Sequence, residues 1–456
     1  MLLSVLFLNH DFTKIQVAHP IILNLSLILF FTTLTLITLR KTIEDKPFSV
    51  LQTTQIKGVA ILLVIIGHLG FHTIEKMTDL SFFMKIAPAA LPLFLIVSGL
   101  GISSSLEKKG IKGFFSKRVT RVYLPVFLAM LLEIFLLHTL GSTENNLLVD
   151  IARIFYDLEN LDRNMWFVIF IMFWYCMTYL VYWLNLSTTK KLIFLCWVSL
   201  IILSIPQVSA LWKANSLSFP LGCWIGVNLP LITQQIKTII TKKNAIYISL
   251  IGSCLLLSKL SGYLAGYLAN LHIHIMVGII LGSSLLAIGY TIYKVKRKIK
   301  LSLSTETIET VTLFSIITII YLNCSRWFPE YSKYNIAKNI IENISSISLA
   351  VAILLLITLM IKLKLYSYFL NFIGEVSFEL YLLHGMFMYS FDFILFRGNL
   401  CFTFYIYFIA LCITSMYFRR LNSSVYNSLV NLLETQEQDD KGHPNLARIP
   451  EPERNH

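Results

Sequence analysis

Apolar runs of roughly 16 to 23 residues recur along almost the whole chain, and each can carry a helix across about 30 Å of hydrocarbon. Lipid offers no partners for backbone N–H and C=O groups, so such runs must close their hydrogen bonds within helices or a closed barrel. The runs are continuous rather than alternating, which selects helices. With 56% hydrophobic and 14% charged residues among 456, little chain remains for a soluble domain. The expected fold is an all-α, polytopic transmembrane helix bundle of about 11–13 spans. The candidate spans are about 20–39, 56–75, 84–104, 122–140, 165–184, 191–205, 217–233, 245–260, 271–293, 308–323, 343–361, 377–396 and 401–418. The segment 191–205 is short, and 245–260 runs into "SGYLAGYLAN", which also suits a re-entrant segment.

The organisation follows from these spans. Residues 1–49 read as an anchor helix and linker, with Pro20 to Leu39 resembling a retained signal anchor. Residues 50–420 form the membrane core. Residues 421–456 are expected as a cytoplasmic tail, disordered through "ETQEQDDKGHPNLARIPEPERNH" and too short for a further domain.

Charge supplies the orientation. The net charge is +13, and the basic residues collect in alternate short loops, among them "RKTIEDK", "EKKGIKGFFSKRVTR" and "KVKRKIK". With the N-terminus outside and the C-terminus in the cytoplasm, about two dozen of the 38 Lys and Arg fall on the cytoplasmic side. The loop "GSTENNLLVDIARIFYDLENLDRN" is then external and acidic. Seven cysteines fall mostly within apolar runs with no C-x-x-C pair or metal-ligand spacing, and read as buried small hydrophobes.

Within the run "IKGVAILLVIIGHLGF" two ionisable groups stand eleven residues apart, Lys57 and His68. Eleven residues rotate a helix about 20° past three turns and rise about 16 Å, so the two share a face. His72 and Glu75 continue that stripe outward. Either His68 is a packing histidine and Lys57 snorkels to the inner interface, or the stripe lines a solvated or ligand-filled path. In "KRVTR", Arg118 and Arg121 stand three apart on one expected helix face. They serve positive-inside topology or form a guanidinium fork for phosphate. Glu133, inside the following span, is a further acid of structural or functional use.

The stretches "IKGVAILLVIIGHL", "ALPLFLIVSGLGISSS", "FFSKRVTRVYLPVF", "NMWFVIFIMFWY" and "IGEVSFELYLLHGMF" resemble, in that order, the motifs of the acyltransferase-3 family, over roughly residues 50 to 418. These are polytopic membrane O-acyltransferases that decorate surface glycans. The resemblance places the family's basic residue and histidine on Lys57 and His68, and its paired arginines on Arg118 and Arg121. Its serine-glycine falls on Ser98 and Gly99, its "WF" tryptophan on Trp166, and its Y-L-x-H on Tyr381, Leu382 and His384. The family usually carries arginine where Lys57 stands, and lysine keeps the charge without the bidentate fork.

The resemblance implies a cytoplasmic acyl-coenzyme A co-substrate, acetyl-coenzyme A foremost, with no bound cofactor and no metal. It also implies a glycan or lipid-linked sugar acceptor and a bacterial inner membrane. Lys57, Arg118 and Arg121 would hold the donor's phosphates. His68 would act as general base or be acylated transiently. His72, Glu75, Ser98, Glu133, Trp166, Tyr381 and His384 are the possible channel or acceptor residues, with His384 either lining the donor channel or hydrogen-bonded structurally. A transporter or flippase for a lipid-linked glycan is the rival reading; it leaves the inner arginine pair beside a histidine stripe without a purpose.

Overall fold

A computed structural model describes residues 15–43, 46–75, 79–140, 143, 145–205, 207–240, 244–269, 336–392 and 394–442. The chain runs through α1 (Pro20–Ile37), β1 (Leu39–Lys41), α2 (Val50–Phe71), α3 (Ala90–Lys109), α4 (Leu124–Thr139), α5 (Trp166–Trp183) and α6 (Thr188–Ser204). It continues through α7 (Ser218–Val227), α8 (Asn244–Ala269), α9 (Ile336–Lys362), β2 (Leu365–Ser367), α10 (Tyr368–Glu375), α11 (Ser377–Gly385) and α12 (Leu400–Gly442).

Among the described residues seven helices are long and apolar enough to cross a membrane: Pro20–Ile37, Val50–Phe71, Ser81–Lys109, Phe114–Thr139, Arg163–Trp183, Lys338–Lys362 and Leu400–Ser428. Their outward faces are as apolar as their inward ones. On α12, Phe402, Ile406, Ile409 and Ile413 are exposed while Phe404, Tyr407, Phe408 and Leu411 are buried. A helix apolar all round suits lipid on one side and protein on the other.

Several expected spans differ. The segment 191–205 is the 17-residue α6, and 245–260 lies within the continuous 26-residue α8, which packs along α9. The segment 217–233 divides at Asn228, whose side-chain amide donates to the Trp224 carbonyl at 2.9 Å. Pro230 then starts a new helix, Leu229–Ile240, where its missing N–H costs nothing. The segment 377–396 is α11 followed by a π turn, Met386–Ser390, and a bend. Asp392 ends it by accepting the Ile394 and Leu395 N–H groups at 3.1 and 2.7 Å. The expected disordered tail begins inside α12, which continues to Gly442. A helix already nucleated in the membrane propagates readily through Leu, Glu and Gln. The expected spans 271–293 and 308–323, and residues 443–456, lie outside the described residues. The acidic loop expected outside is also partly helical, with helices Leu147–Tyr156 and Leu158–Leu161. Asp150 organises it, meeting His138 at 3.2 Å and Arg153 at 3.2 Å. Of the cysteines, Cys223 and Cys412 are buried but Cys176 is exposed on α5, on an outward face where a small apolar residue meets lipid.

Between helices in lipid there is little hydrophobic driving force, so close packing of small residues carries the association. Gly58 of α2 lies against the Leu370 carbonyl, and Gly374 of α10 against the Thr54 carbonyl; a Cβ on either would collide with backbone. Gly99 of α3 meets the Phe219 carbonyl and Gly222 of α7 meets that of Ile96 in the same way. Below α2 a polar clasp closes the bundle. β1 pairs antiparallel with β2, the Ser367 N–H donates to Gln55 Oε1 at 2.9 Å, and the Gln52 amide donates to Thr358. Ser49 caps α2 by accepting the Gln52 N–H at 3.2 Å.

Candidate active site

The Gly58–Gly374 contact sets the register of α2 against α10 and α11. His68 stands ten residues beyond Gly58, and His384 ten residues beyond Gly374. The two histidines therefore meet: His68 Nδ1 lies 3.1 Å from His384 Nε2, with ring centroids 4.8 Å apart. His384 is fully buried; His68 is half-buried.

The hydrogen-bond chain fixes the tautomers. His384 Nδ1 lies 2.6 Å from the Tyr381 carbonyl, which can only accept, so Nδ1 carries a proton. In the neutral ring Nε2 is then an acceptor, and the contact with His68 requires the proton on His68 Nδ1. His68 Nε2 is left as a bare lone pair. Tyr407 steadies the arrangement by donating its hydroxyl to the His384 carbonyl at 2.8 Å.

Tyr381 anchors α11 to the start of α5. Its hydroxyl donates to the Asn164 carbonyl, and the Asn164 backbone and side-chain N–H groups donate to Asp162 Oδ1 at 2.8 and 3.0 Å. Trp166, the first residue of α5, is buried beside Phe167 and Phe170. Phe167 packs in turn on the Tyr381 ring at 5.6 Å.

Toward the other end of α2 a cationic cluster forms. Lys57 and Arg118 are both half-buried and near enough to feel each other's charge. The Arg118 guanidinium lies over the rings of Phe114 and Tyr175, and the Tyr175 hydroxyl is 2.9 Å from Ser98 Oγ. Like charges held together in an apolar setting repel, and a bound anion relieves the repulsion. Arg121 does not join Arg118. The residues Val119–Tyr123 form a π turn, which carries one more residue per turn than an α turn, and Arg121 is exposed.

The continuation of the stripe beyond His68 is shorter than expected. α2 ends at Phe71, and His72 is its half-buried C-cap, with its carbonyl accepting the Ile15 N–H at 2.8 Å. Glu75 lies past the helix end, exposed, with its N–H donated to Asp79 Oδ2 at 3.0 Å, so helical periodicity no longer places it. Glu133 is buried on the face of α4 that also buries Met130 and Ile134.

Sequence reasoning did not single out Tyr175, Phe114, Asn164, Asp162 or Tyr407. Asn164 and Tyr175 stand at the two ends of "NMWFVIFIMFWY", and Phe114 opens "FFSKRVTRVYLPVF" one helical turn before Arg118; these positions were the signals available. Asp162 and Tyr407 carry no spacing relation to His68 or Arg118.

In comparison with known proteins, a family model described as an acyltransferase domain matches residues 50–419. No curated protein and no solved structure matches the chain.

Proposed function

The chain belongs to the acyltransferase-3 family, and from that premise we propose that it moves an acyl group, acetyl foremost, from acyl-coenzyme A to a hydroxyl of a cell-surface or lipid-linked glycan. The donor enters from the cytoplasmic side, where Lys57 and Arg118 take its phosphates. The pantetheine arm runs along α2 and presents the thioester to His68. The acceptor arrives from the opposite side, past His72.

The reading rests chiefly on one observation: a histidine whose Nε2 is left basic by a directed hydrogen-bond chain lies on the same helix face as Lys57, about 16 Å of helix rise away, and the charge of Arg118 reaches Lys57 from a neighbouring helix. In the proposed step the acceptor hydroxyl gives its proton to His68 Nε2 as its oxygen attacks the thioester carbonyl. The C–S bond breaks, the new C–O ester bond forms, and the coenzyme A thiolate takes the proton back from the imidazolium. While His68 is charged, His384 Nε2 accepts the hydrogen bond from its Nδ1–H, much as the third member of a catalytic triad orients its histidine.

The test is transfer of labelled acyl groups from acyl-coenzyme A to glycan by membranes carrying the protein. Transfer that disappears in His68→Asn at unchanged protein abundance is the expected result. Glycan translocation without any acyl transfer would instead support the transporter reading.

A further inference from the structure

Arg118 is held by its neighbours on two sides. Its guanidinium carbon is 5.8 Å from the Phe114 ring centroid and 5.6 Å from that of Tyr175, within the distance at which a cation is attracted to an aromatic face. A planar, weakly hydrated guanidinium suits such flanking better than an ammonium would. Tyr175 is buried, and its far end is fixed in turn by the 2.9 Å contact with Ser98 Oγ. Ser98 belongs to α3, beside the Gly99 contact that locks α3 to α7. The guanidinium is thus tied, through one ring and one hydroxyl, to a rigid helix pair. The π turn that begins at the next residue leaves Arg121 exposed and outside this cluster.

Length then decides which phosphate the cluster meets. From Lys57 to His68 the helix rises about 16 Å. From the thioester sulfur to the first phosphorus of a coenzyme A donor is about 13 bonds, or about 16 Å when extended at roughly 1.2 Å per bond. With the thioester at His68, the pyrophosphate falls at Lys57 and Arg118. The 3′-phosphate, carried on the ribose beyond the pyrophosphate, falls past them.

We propose that Lys57 and Arg118 read the pyrophosphate of the donor and not its 3′-phosphate, and that Tyr175, anchored by Ser98, is the positioning residue that holds Arg118 in place for it. The inference rests on the acyl-coenzyme A reading above. Tyr175 touches no reacting atom; it acts through Arg118.

The experiment is a donor series on the full chain in membranes: acyl-coenzyme A, its 3′-dephospho form and acyl-pantetheine. In the wild type, loss of the 3′-phosphate should change KM by less than about threefold, whereas loss of all phosphates should raise it about a hundredfold. Tyr175→Leu should raise KM for acyl-coenzyme A about tenfold with a much smaller change in kcat, and should narrow the gap to acyl-pantetheine. Tyr175→Phe keeps the ring and should recover most of that KM. Ser98→Ala, a smaller change, should raise KM about threefold, and serves if Tyr175→Leu fails to accumulate. A tenfold penalty for removing the 3′-phosphate overturns the proposal. So does a Tyr175→Leu enzyme whose kcat falls while its KM and phosphate dependence stay as in wild type. A wild-type chain that takes acyl groups from none of the three donors overturns the acyl-coenzyme A reading itself.

Discussion

The two ends of α2 are built by opposite means. At the Lys57 end, two like charges are brought together and one is steered by aromatic faces. At the His68 end the groups are neutral rings joined in one direction, each bond fixing the proton of the next until the chain stops at a backbone carbonyl. The first arrangement stores repulsion that an anion can relieve, and suits binding. The second stores orientation, and suits proton transfer. One rigid helix separates them by about three turns, and the Gly58–Gly374 contact keeps the histidine end in register with α11. The difference teaches that donor affinity and chemical rate should be separable by mutation along a single helix.

The largest effect should come from the His68 end. His68→Asn keeps a polar side chain but removes the base, and should lower kcat by about 10³-fold with little change in donor KM. Single-turnover transfer in membranes measures it. His384→Ala should come next, at about 10²-fold in kcat, because His68 Nδ1 loses the acceptor that selects its tautomer. His384→Gln offers an amide oxygen in that place and should recover part of the loss. Equal activity of the Ala and Gln variants would show that His384 only fills space.

At the Lys57 end, Arg118→Ala should raise donor KM by about 10- to 150-fold, the equivalent of about 1.5–3 kcal/mol for a charged hydrogen bond. Arg121→Ala should cost no more than a few-fold, since that side chain is exposed. Equal effects from the two arginines would mean that the π turn does not separate them in the working enzyme. The smallest effect expected is that of Tyr407→Phe, which removes one hydrogen bond to the His384 carbonyl and should cost about 1 kcal/mol of stability, measured by thermal unfolding in detergent.

Much of this was legible from residue types alone. Span lengths follow from bilayer thickness, and the shared face of Lys57 and His68 follows from helix pitch, because both are local properties of one continuous helix. Two kinds of fact were not legible. His68 and His384 are 316 residues apart, and nothing in either motif states that α2 and α11 pack in matching register. The spacing of Arg118 and Arg121 reads correctly only for an α-helix, and the intervening π turn changes the angle without any mark in the residue types. Glu75 was misplaced for a related reason: periodicity was extended past Phe71, where the helix stops. Tyr175 escaped notice because an aromatic residue in an apolar span looks like core until its Ser98 and Arg118 neighbours are known.

The most direct test of the division between binding end and chemical end is an equilibrium titration of coenzyme A into purified wild-type protein, His68→Asn, Lys57→Met and Lys57→Arg. Lys57→Met keeps the apolar stem and removes the charge, so it separates packing from electrostatics. The account predicts that His68→Asn binds within about threefold of wild type, that Lys57→Met loses about tenfold or more, and that Lys57→Arg binds at least as well as wild type. Wild-type affinity in Lys57→Met, or lost affinity in His68→Asn, would contradict it.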